Sequence, residues 1–337
     1  MIRETTTPPP IDLGTLSAMA MSVGALSGCS KADYTIGVLL PVRHEALQLA
    51  EKGFVEALKE AGLVEGKDFA IKEKNADGDE AALNSLAKDL VSSCDMTLGT
   101  GTGASQSLQS AAKDGGSVKP ILFTAVTDPV GAKLVEKVDN GSGNITGASD
   151  AQPVTDQIAL IKEILPEVDK IGVIYSQNEQ NSVVQKDQVK AIGLMLGIEV
   201  VEKAVSEVSE ISPAAEALAS TSGLDAIYVP TDNKIAANMN AINQACNSNH
   251  VLAMCGEFGE VETGGHISFS FDYEMLGKET GKLAYEIIKN GKSAAELPVQ
   301  FMTKTNCEIR YSSKNLAASG IELPESVKNR AKDISLK

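Results

Sequence analysis

The chain has 337 residues, of which 43% are hydrophobic, and a formal net charge of −15 at pH 7. At ~150 residues per domain the length suggests two domains, and the composition provides for packed cores and excludes a disordered or membrane-spanning protein. The acidic balance excludes nucleic acid as the expected partner, because a phosphate backbone requires a basic protein face.

The N-terminus differs from the rest of the chain. A small, apolar stretch from Leu13 to Gly28 precedes Cys29, and Leu26-Ser27-Gly28-Cys29 has the form of a bacterial lipobox. The stretch is too short to span a bilayer but suits a signal sequence. Only one basic residue, Arg3, comes before it, and an unstructured tail is the alternative interpretation. We predict that residues 1–32 form a signal, lipobox and linker, with Cys29 lipidated.

Strands and helices alternate in the first half. The buried-strand run Tyr34–Leu40 is followed by apolar residues at helical spacing from Leu47 to Ala61. Asp79 is placed to cap a helix that runs to about Ser92. Further strands are predicted at 69–71, 96–98, 121–123 and 144–146, and further helices at 105–113 and from Pro129.

A second series begins after Gly147 and repeats the alternation. Its predicted helices are 154–165, 183–196, 213–220, 235–247 and 276–289, and its predicted strands are 171–175, 198–201, 226–229, 250–254 and 266–271. Strands that alternate with helices of 10–15 residues indicate parallel sheets built from βαβ units. The chain therefore reads as two similar α/β halves, with a seam near residues 147–153.

In open parallel sheets, ligands bind beyond the carboxyl ends of the strands, and the residues at those ends here are mostly hydroxyls, amides and carboxylates. Gly99-Thr-Gly-Thr-Gly103 opens a helix, whose free N–H groups would form a seat for an anion or carboxylate. Asp128, Asp232, Glu257 and Asp272 are acids that could hold an ammonium group. Together these features suit a zwitterion such as an amino acid.

Several of these stretches resemble one family. The family is that of the ABC transporter substrate-binding proteins that includes the tryptophan/tyrosine-type binding lipoproteins. The stretches similar to it are Phe123-Thr-Ala-Val-Thr-Asp-Pro-Val-Gly131, Tyr228-Val-Pro-Thr-Asp-Asn233 and Asn181-Ser-Val-Val-Gln185. The resemblance covers nearly all of residues 34–325. It implies an α/β type I periplasmic-binding fold, with two Rossmann-like lobes on parallel sheets joined by three hinge crossovers. It also implies that an amino acid binds between the lobes.

On this resemblance the lobes are expected at 33–148 plus 273–298 and at 149–272 plus 299–337. The ligand carboxylate would meet the Thr102–Ser105 helix start with Thr124 and Thr127, and the ammonium would meet Asp232, with Glu257 as a second candidate. The full set of candidate ligand-binding residues is Arg43, His44, Thr100, Thr102, Gly103, Ser105, Thr124, Thr127, Asp128, Asn181, Ser182, Thr231, Asp232, Asn233, Glu257 and Asp272.

The chain departs from the family pattern in two loops. It has Val-Arg-His-Glu after the first strand, where relatives more often have an acid before the His, and Gly-Thr-Gly in place of Ala-Thr-Pro. It contains no Trp and few aromatic residues, which leaves an aromatic ligand open. Arg43 could instead pair with an acidic group of the ligand. Helix capping is the alternative role for Thr100, Thr102, Ser105, Asp128 and Asp232.

Other functions find less support. Gly99–Gly103 lacks the G-x-G-x-x-G spacing of a dinucleotide site, and no P-loop, G-x-S-x-G or H-E-x-x-H occurs. We expect no catalysis, no cofactor and no metal; a doubly wound NAD- or sugar-nucleotide-dependent enzyme and a ligand-sensing receptor module are the alternatives. Apart from Cys29 the cysteines show no metal spacing, and a Cys246–Cys255 bridge stays open.

The predicted role is the extracytoplasmic solute-binding component of an ABC importer. Its expected partners are an amino-acid ligand and the ABC permease with its ATPase. We expect the protein to contact the membrane only through its lipid anchor, and we expect it to be a monomer. Hinge closure would capture the ligand, with hinges near 147–152, 271–273 and 298–302.

Overall fold

The computed structural model describes residues 32–335, so the predicted leader and Cys29 lie outside the described residues. The strands are β1 (Tyr34–Leu40), β2 (Phe69–Asn75), β3 (Met96–Thr100), β4 (Ile121–Thr124), β5 (Ile145–Ser149), β6 (Lys170–Ser176), β7 (Glu199–Val205), β8 (Ala226–Val229), β9 (Leu252–Cys255), β10 (Ile267–Ser270), β11 (Gln300–Phe301), β12 (Glu308–Tyr311) and β13 (Ala331–Asp333).

The α-helices alternate with these strands, as the two series of βαβ units predict. They are α1 (Glu45–Glu60), α2 (Glu80–Ser93), α3 (Thr102–Asp114), α4 (Val154–Ile164), α5 (Gln180–Leu196), α6 (Val208–Ala219), α7 (Asn233–Ala236), α8 (Met239–Asn249), α9 (Phe258–Thr263), α10 (Tyr273–Asn290), α11 (Ser313–Ser319) and α12 (Glu325–Lys328).

The strands form two sheets whose first five strands follow the same order. One sheet runs β2-β1-β3-β4-β5-β11 and the other runs β7-β6-β8-β9-β10-β12-β13. Neighbouring strands are parallel except for β10 and β12, which pair antiparallel. Apolar side chains cover both faces of each sheet, as parallel sheets require. We call the two sheets with their helices the first lobe and the second lobe.

The chain passes between the sheets three times, at residues 150–153, 271–272 and 302–307, as the predicted fold class requires. The lobe ranges remain a prediction, and one detail differs from them. Strand β11 (Gln300–Phe301) pairs with β5 and so lies in the first sheet, although 299–337 was assigned to the second lobe.

Helix α10 comes late in the chain but packs in the first lobe, against α1. Glycines allow the two backbones to meet. A β-carbon on Gly53 would lie 1.9 Å from the Glu274 carbonyl oxygen, and one on Gly277 would lie 1.9 Å from that of Ala50. These close contacts fix the helix that follows the second crossover on the first lobe.

Three local predictions are wrong. No helix begins at Pro129: the segment is a series of turns, and Lys133 takes a left-handed φ of 59°. The predicted helix 235–247 is two helices, α7 and α8, separated where the Asn238 side chain donates to the Lys234 carbonyl at 2.8 Å. His250 ends α8 with a φ of 57° rather than starting a strand.

Candidate ligand site between the lobes

The strand order reverses between β1 and β3 in the first sheet and between β6 and β8 in the second. At such a switch point two neighbouring loops diverge and leave a crevice at the carboxyl ends of the strands. Residues from all four of these loops line one cavity of about 510 Å³, which lies between the lobes and falls within the usual size of ligand sites. They include Pro41 and Val42, Thr102 and Gly103, Asn178 to Asn181, and Asn233 and Lys234.

The first-lobe wall of this cavity includes the start of α3. Gly101 precedes the helix with a φ of 83°, a conformation that favours glycine, and makes no side-chain cap. The first amide N–H groups of a helix have no partner within it, and the Thr102 hydroxyl is buried without a partner as well. The loop therefore has unpaired donors where the sequence predicts an anion seat, and binding of an anion there stays a prediction.

Two other hydroxyls of this loop act within the first lobe. The Thr100 hydroxyl donates to the Leu39 carbonyl at 3.1 Å. The Ser105 hydroxyl donates to the carbonyls of Gly101 at 2.7 Å and Gly99 at 3.2 Å. Both residues are fully buried, so they shape the loop rather than face the cavity.

The polar side chains of the loop after β4 also differ in whether they have a partner within the protein. The Thr124 hydroxyl is buried without a partner. The Thr127 hydroxyl donates to Asp150 at 2.9 Å and lies 3.5 Å from the Thr231 hydroxyl of the second lobe. The Asp128 carboxylate accepts from the Gly131 N–H at 2.8 Å, which makes it a turn cap.

Asp232, the leading candidate for the ammonium, is fully buried and its carboxylate is occupied. It accepts from the Ser176 N–H at 2.6 Å, the Ser176 hydroxyl at 2.9 Å, the Ser182 hydroxyl at 2.6 Å and the Ile235 N–H at 2.9 Å. A carboxylate has about four lone-pair positions, and these donors fill them. Asp232 and Ser182 therefore hold β6, α5 and α7 together.

Amides join the remaining second-lobe loops. Asn181 donates to the Thr231 carbonyl at 2.7 Å, and Gln185 donates to the Thr231 hydroxyl at 2.5 Å. Asn233 donates to the half-buried Glu179 carboxylate at 2.6 Å. Burial and nearby Asp232 raise the pKa of Glu179 to about 7.

Polar contacts also link the two lobes directly. His44 Nε2 lies 3.0 Å from Asn233 Oδ1, and Gln106 donates to Gln180 at 3.1 Å. Gly259 of the second lobe lies so close to the first that a β-carbon on it would be 2.9 Å from the Glu45 β-carbon. The lobes are thus in contact across the cleft.

A second, smaller cavity lies between the lobes and shares Asn181 and Asn233 with the large one. It is acidic, with Asp150, Glu257 and Glu260 all buried around it. Burial raises the pKa of Glu257 to about 8 and that of Glu260 well above its usual range, and it raises the pKa of Asp150. Of these acids, only Glu257 is among the candidates predicted from the sequence.

Of the candidate ligand-binding residues, Thr102, Gly103, Asn181 and Asn233 line the large cavity, and Arg43 and Asp272 are among those that do not. Arg43 is more than half exposed and pairs with Glu73, although it lines a separate crevice beside His44. Asp272 accepts from the Glu274 N–H at 2.8 Å at the start of α10, and Arg310 donates to it at 3.3 Å. Each of the two candidates is therefore already paired with a side chain of opposite charge: Arg43 with Glu73, and Asp272 with Arg310.

Cys94, Cys246, Cys255 and Cys307 are free thiols, so the Cys246–Cys255 bridge left open by the sequence is not formed. Within residues 32–335 no group of three or more His, Cys, Asp or Glu side chains is arranged to hold a metal ion. In the same range, no helix combines the length and the apolar character that a membrane crossing requires.

Comparison with known proteins matches almost all of this region. Residues 35–335 fit the family model described as ABC transporter substrate binding protein. The tyrosine-binding protein of Clostridioides difficile (strain R20291) is 33% identical over 340 residues, which cover 94% of this chain and 96% of that protein.

Two solved structures are similar over most of their length. One is an ABC domain in complex with L-Trp from Streptococcus pneumoniae, 34% identical with a TM-score of 0.82, covering 90% of this chain and 99% of that one. The other is the ligand-free, open structure of a substrate-binding protein with adhesive properties from Clostridium difficile. It is 32% identical with a TM-score of 0.66, covering 89% and 99%.

Proposed function

The chain belongs to the family of ABC transporter substrate-binding proteins, and we propose that it captures a tyrosine- or tryptophan-like amino acid between its lobes for an ABC importer. Its fold is the type I periplasmic-binding fold predicted from the sequence. Proteins of this family are extracytoplasmic, and they are binding proteins rather than enzymes. The observation that carries the proposal is the cavity at the facing switch points of the two sheets.

The ligand carboxylate is assigned to the start of α3. The unpaired N–H groups there and the partnerless Thr102 hydroxyl would replace the hydration of a carboxylate, and the helix dipole favours its negative charge. The ammonium is assigned to the acids of the second lobe. Since Asp232 is filled by its own donors, Glu257 is the better of the two acids that the resemblance names.

The side chain is assigned to the body of the large cavity. Apolar residues from both lobes line it, among them Pro41, Val42, Leu83 and Val208. None of the described residues that line it is aromatic, so an aromatic ring would pack on aliphatic side chains. Two of the similar proteins, named for binding tyrosine and complexed with L-Trp, support an aromatic ligand.

Closure of the lobes is the proposed mechanism of capture. This chain is closer in shape to the L-Trp complex than to the ligand-free, open structure, although the two are almost equally identical to it in sequence. The direct contacts His44–Asn233 and Gln106–Gln180 would form only when the lobes are together. The three crossovers are the proposed hinges.

Attachment and partners follow from the same role. We propose that Cys29 is lipidated, that the protein stands as a monomer at the outer face of the membrane, and that its closed form docks on the permease. The ATPase of that permease would then drive import. Mass spectrometry of a membrane extract tests the anchor, since a diacylated N-terminal cysteine has a characteristic mass.

The first test is a binding panel by calorimetry. We expect L-tyrosine or L-tryptophan to bind, and their amine-free and carboxylate-free analogues (such as 3-(4-hydroxyphenyl)propionate and tyramine) to bind at least tenfold more weakly, since each loses one charged contact. Small-angle scattering should show a smaller radius of gyration with the bound amino acid. Binding of none of the amino acids would contradict the proposal.

A second test places a fixed charge at the carboxylate seat. Thr102→Asp should weaken amino-acid binding at least tenfold by repulsion, while a carboxylate in the first turn of α3 favours the helix. Thr102→Asn is the matched control, of the same shape but neutral, and should retain most of the affinity. Equal affinities for the two variants would place the ligand carboxylate elsewhere.

A further inference from the structure

The small cavity between the lobes has room for about one water-sized group. His44 and Tyr273 line it from the first lobe, Glu257 and Glu260 line it from the second, and Asp150 lines it from the first crossover. It is too small for a whole amino acid. Because it shares Asn181 and Asn233 with the large cavity, one end of a ligand in the large cavity could enter it.

The carboxylates around this cavity have no cationic partner. Among residues 32–335, none of the lysines and arginines forms an ion pair with Asp150, Glu257 or Glu260. Asp150 accepts from the Tyr273 hydroxyl at 2.6 Å and from Thr127. Glu257 accepts from the N–H groups of Gly259 at 2.5 Å and Glu260 at 2.9 Å. The partners are therefore neutral donors.

Glu260 is left with an open acceptor. One of its carboxylate oxygens accepts from the Gly256 N–H at 2.9 Å, and the other is buried without a partner although the residue is fully buried. His44 adds another unpartnered atom. Its Nε2–H donates a hydrogen bond to Asn233 Oδ1, and its buried Nδ1 is unpaired. In that neutral tautomer Nδ1 is also an acceptor.

Among the described residues, no ion-paired cation occupies the open acceptors of this cavity. A primary ammonium group is a small cation that donates hydrogen bonds, so it suits these acceptors. Resting on the proposed function, we infer that the ammonium of the bound amino acid enters this cavity, and that the Glu257–Glu260 pair releases one proton to solvent as it does so. The O–H bond of the protonated carboxyl breaks, its proton passes to water, and the carboxylate left behind pairs with the ammonium.

The groups around the pair explain why it holds a proton without ligand. Those that act on its pKa values are acids or neutral groups: Asp150, Tyr228, Asp232, Cys255, Glu262 and Tyr273, with His44 across the cavity. Arg43 and Glu45 line a neighbouring crevice with Glu257, and Arg43 is paired there with Glu73. Burial lowers the pKa of His44, which keeps it neutral. Burial raises the pKa of Glu257 to about 8 and that of Glu260 well above its usual range, and an ammonium beside them would lower both.

The affinity for the amino acid should rise with pH below about pH 8. Below about pH 8 the free protein carries the extra proton and the complex does not, so binding releases a proton and affinity rises with pH. We expect a rise of up to tenfold per pH unit between pH 6 and 8, and a plateau above. The probes are L-tyrosine and L-tryptophan, with calorimetry in buffers of different ionisation enthalpy to count released protons. The count should be close to one at pH 7.

Replacing both acids, Glu257→Gln together with Glu260→Gln, keeps the shapes of the protonated side chains and leaves the pair unable to ionise. This double variant should bind the amino acid about tenfold more weakly at pH 8 and release few or no protons. The amine-free analogue should bind both proteins equally and without proton release. Glu325→Gln, a neutralised acid on the exposed helix α12, is the control and should behave as the unaltered protein.

The outcomes separate this inference from the proposed function. Tight amino-acid binding with no proton release, or with the double variant unchanged, overturns the inference and leaves the function standing. Proton release that persists with the amine-free analogue also overturns it, because the ammonium would not be the cause. If neither amino acid binds, the proposed ligand class is wrong and the inference falls with it.

Discussion

Gly259→Val should reduce amino-acid affinity by about 100-fold while leaving the protein folded. Gly259 lies in the first turn of α9 in the second lobe, and a β-carbon there would lie 2.9 Å from the Glu45 β-carbon of the first lobe. That atom is fixed to the start of α1 and cannot swing aside. Overpacking of this kind costs roughly 3 kcal/mol at its upper range, which is about 100-fold in binding when only the closed form is affected.

The open form would not feel this contact, since opening separates the lobes. Thermal unfolding without ligand should therefore change little, whereas calorimetry should show the loss of affinity and scattering should show no compaction. Gly259→Ala paired with Glu45→Gly is the rescue, because the second change removes the opposing β-carbon. If Glu45→Gly restores nothing to Gly259→Ala, the defect is local to the neighbouring Glu257 rather than between the lobes.

The alternation of strands and helices in the sequence predicted the two sheets well, because parallel strands buried on both faces leave a strong apolar pattern. It failed where side chains override the local preference. Asn238 bonds to the Lys234 carbonyl and divides one predicted helix into two. Short α9 was not predicted, since six residues contain too few turns for a helical period to appear.

The site was harder to predict than the fold. Strand ends identified the loops of the large cavity, because their position follows from topology alone. They did not show which hydroxyls are used internally, as at Thr100 and Ser105. Asp150 and Glu260 were missed because one lies on a crossover and the other in α9, and only the packing of the lobes brings them to one cavity. No pattern in a single sequence identifies acids that are buried without cationic partners.

Asp232→Ala should destabilise the second lobe by about 2–4 kcal/mol, the largest stability effect expected here. Its carboxylate accepts from the N–H groups of Ser176 and Ile235 and from two serine hydroxyls. Alanine would leave those two buried N–H groups unpaired, at roughly 1–3 kcal/mol each before relaxation, and would remove the cap of α7. Urea unfolding followed by circular dichroism measures the loss.

The matched variant Asp232→Asn retains one acceptor oxygen and should lose less stability than alanine, because asparagine also caps helices well. Both variants should bind the amino acid with only a modest loss of affinity, since the donors around Asp232 leave it no free lone pair for an ammonium. The opposite pattern, with full stability and abolished binding in both variants, would restore Asp232 as the ammonium ligand expected from the sequence. In that case its four donors would have to rearrange when the amino acid arrives, and the carboxylates of the small cavity would need another partner.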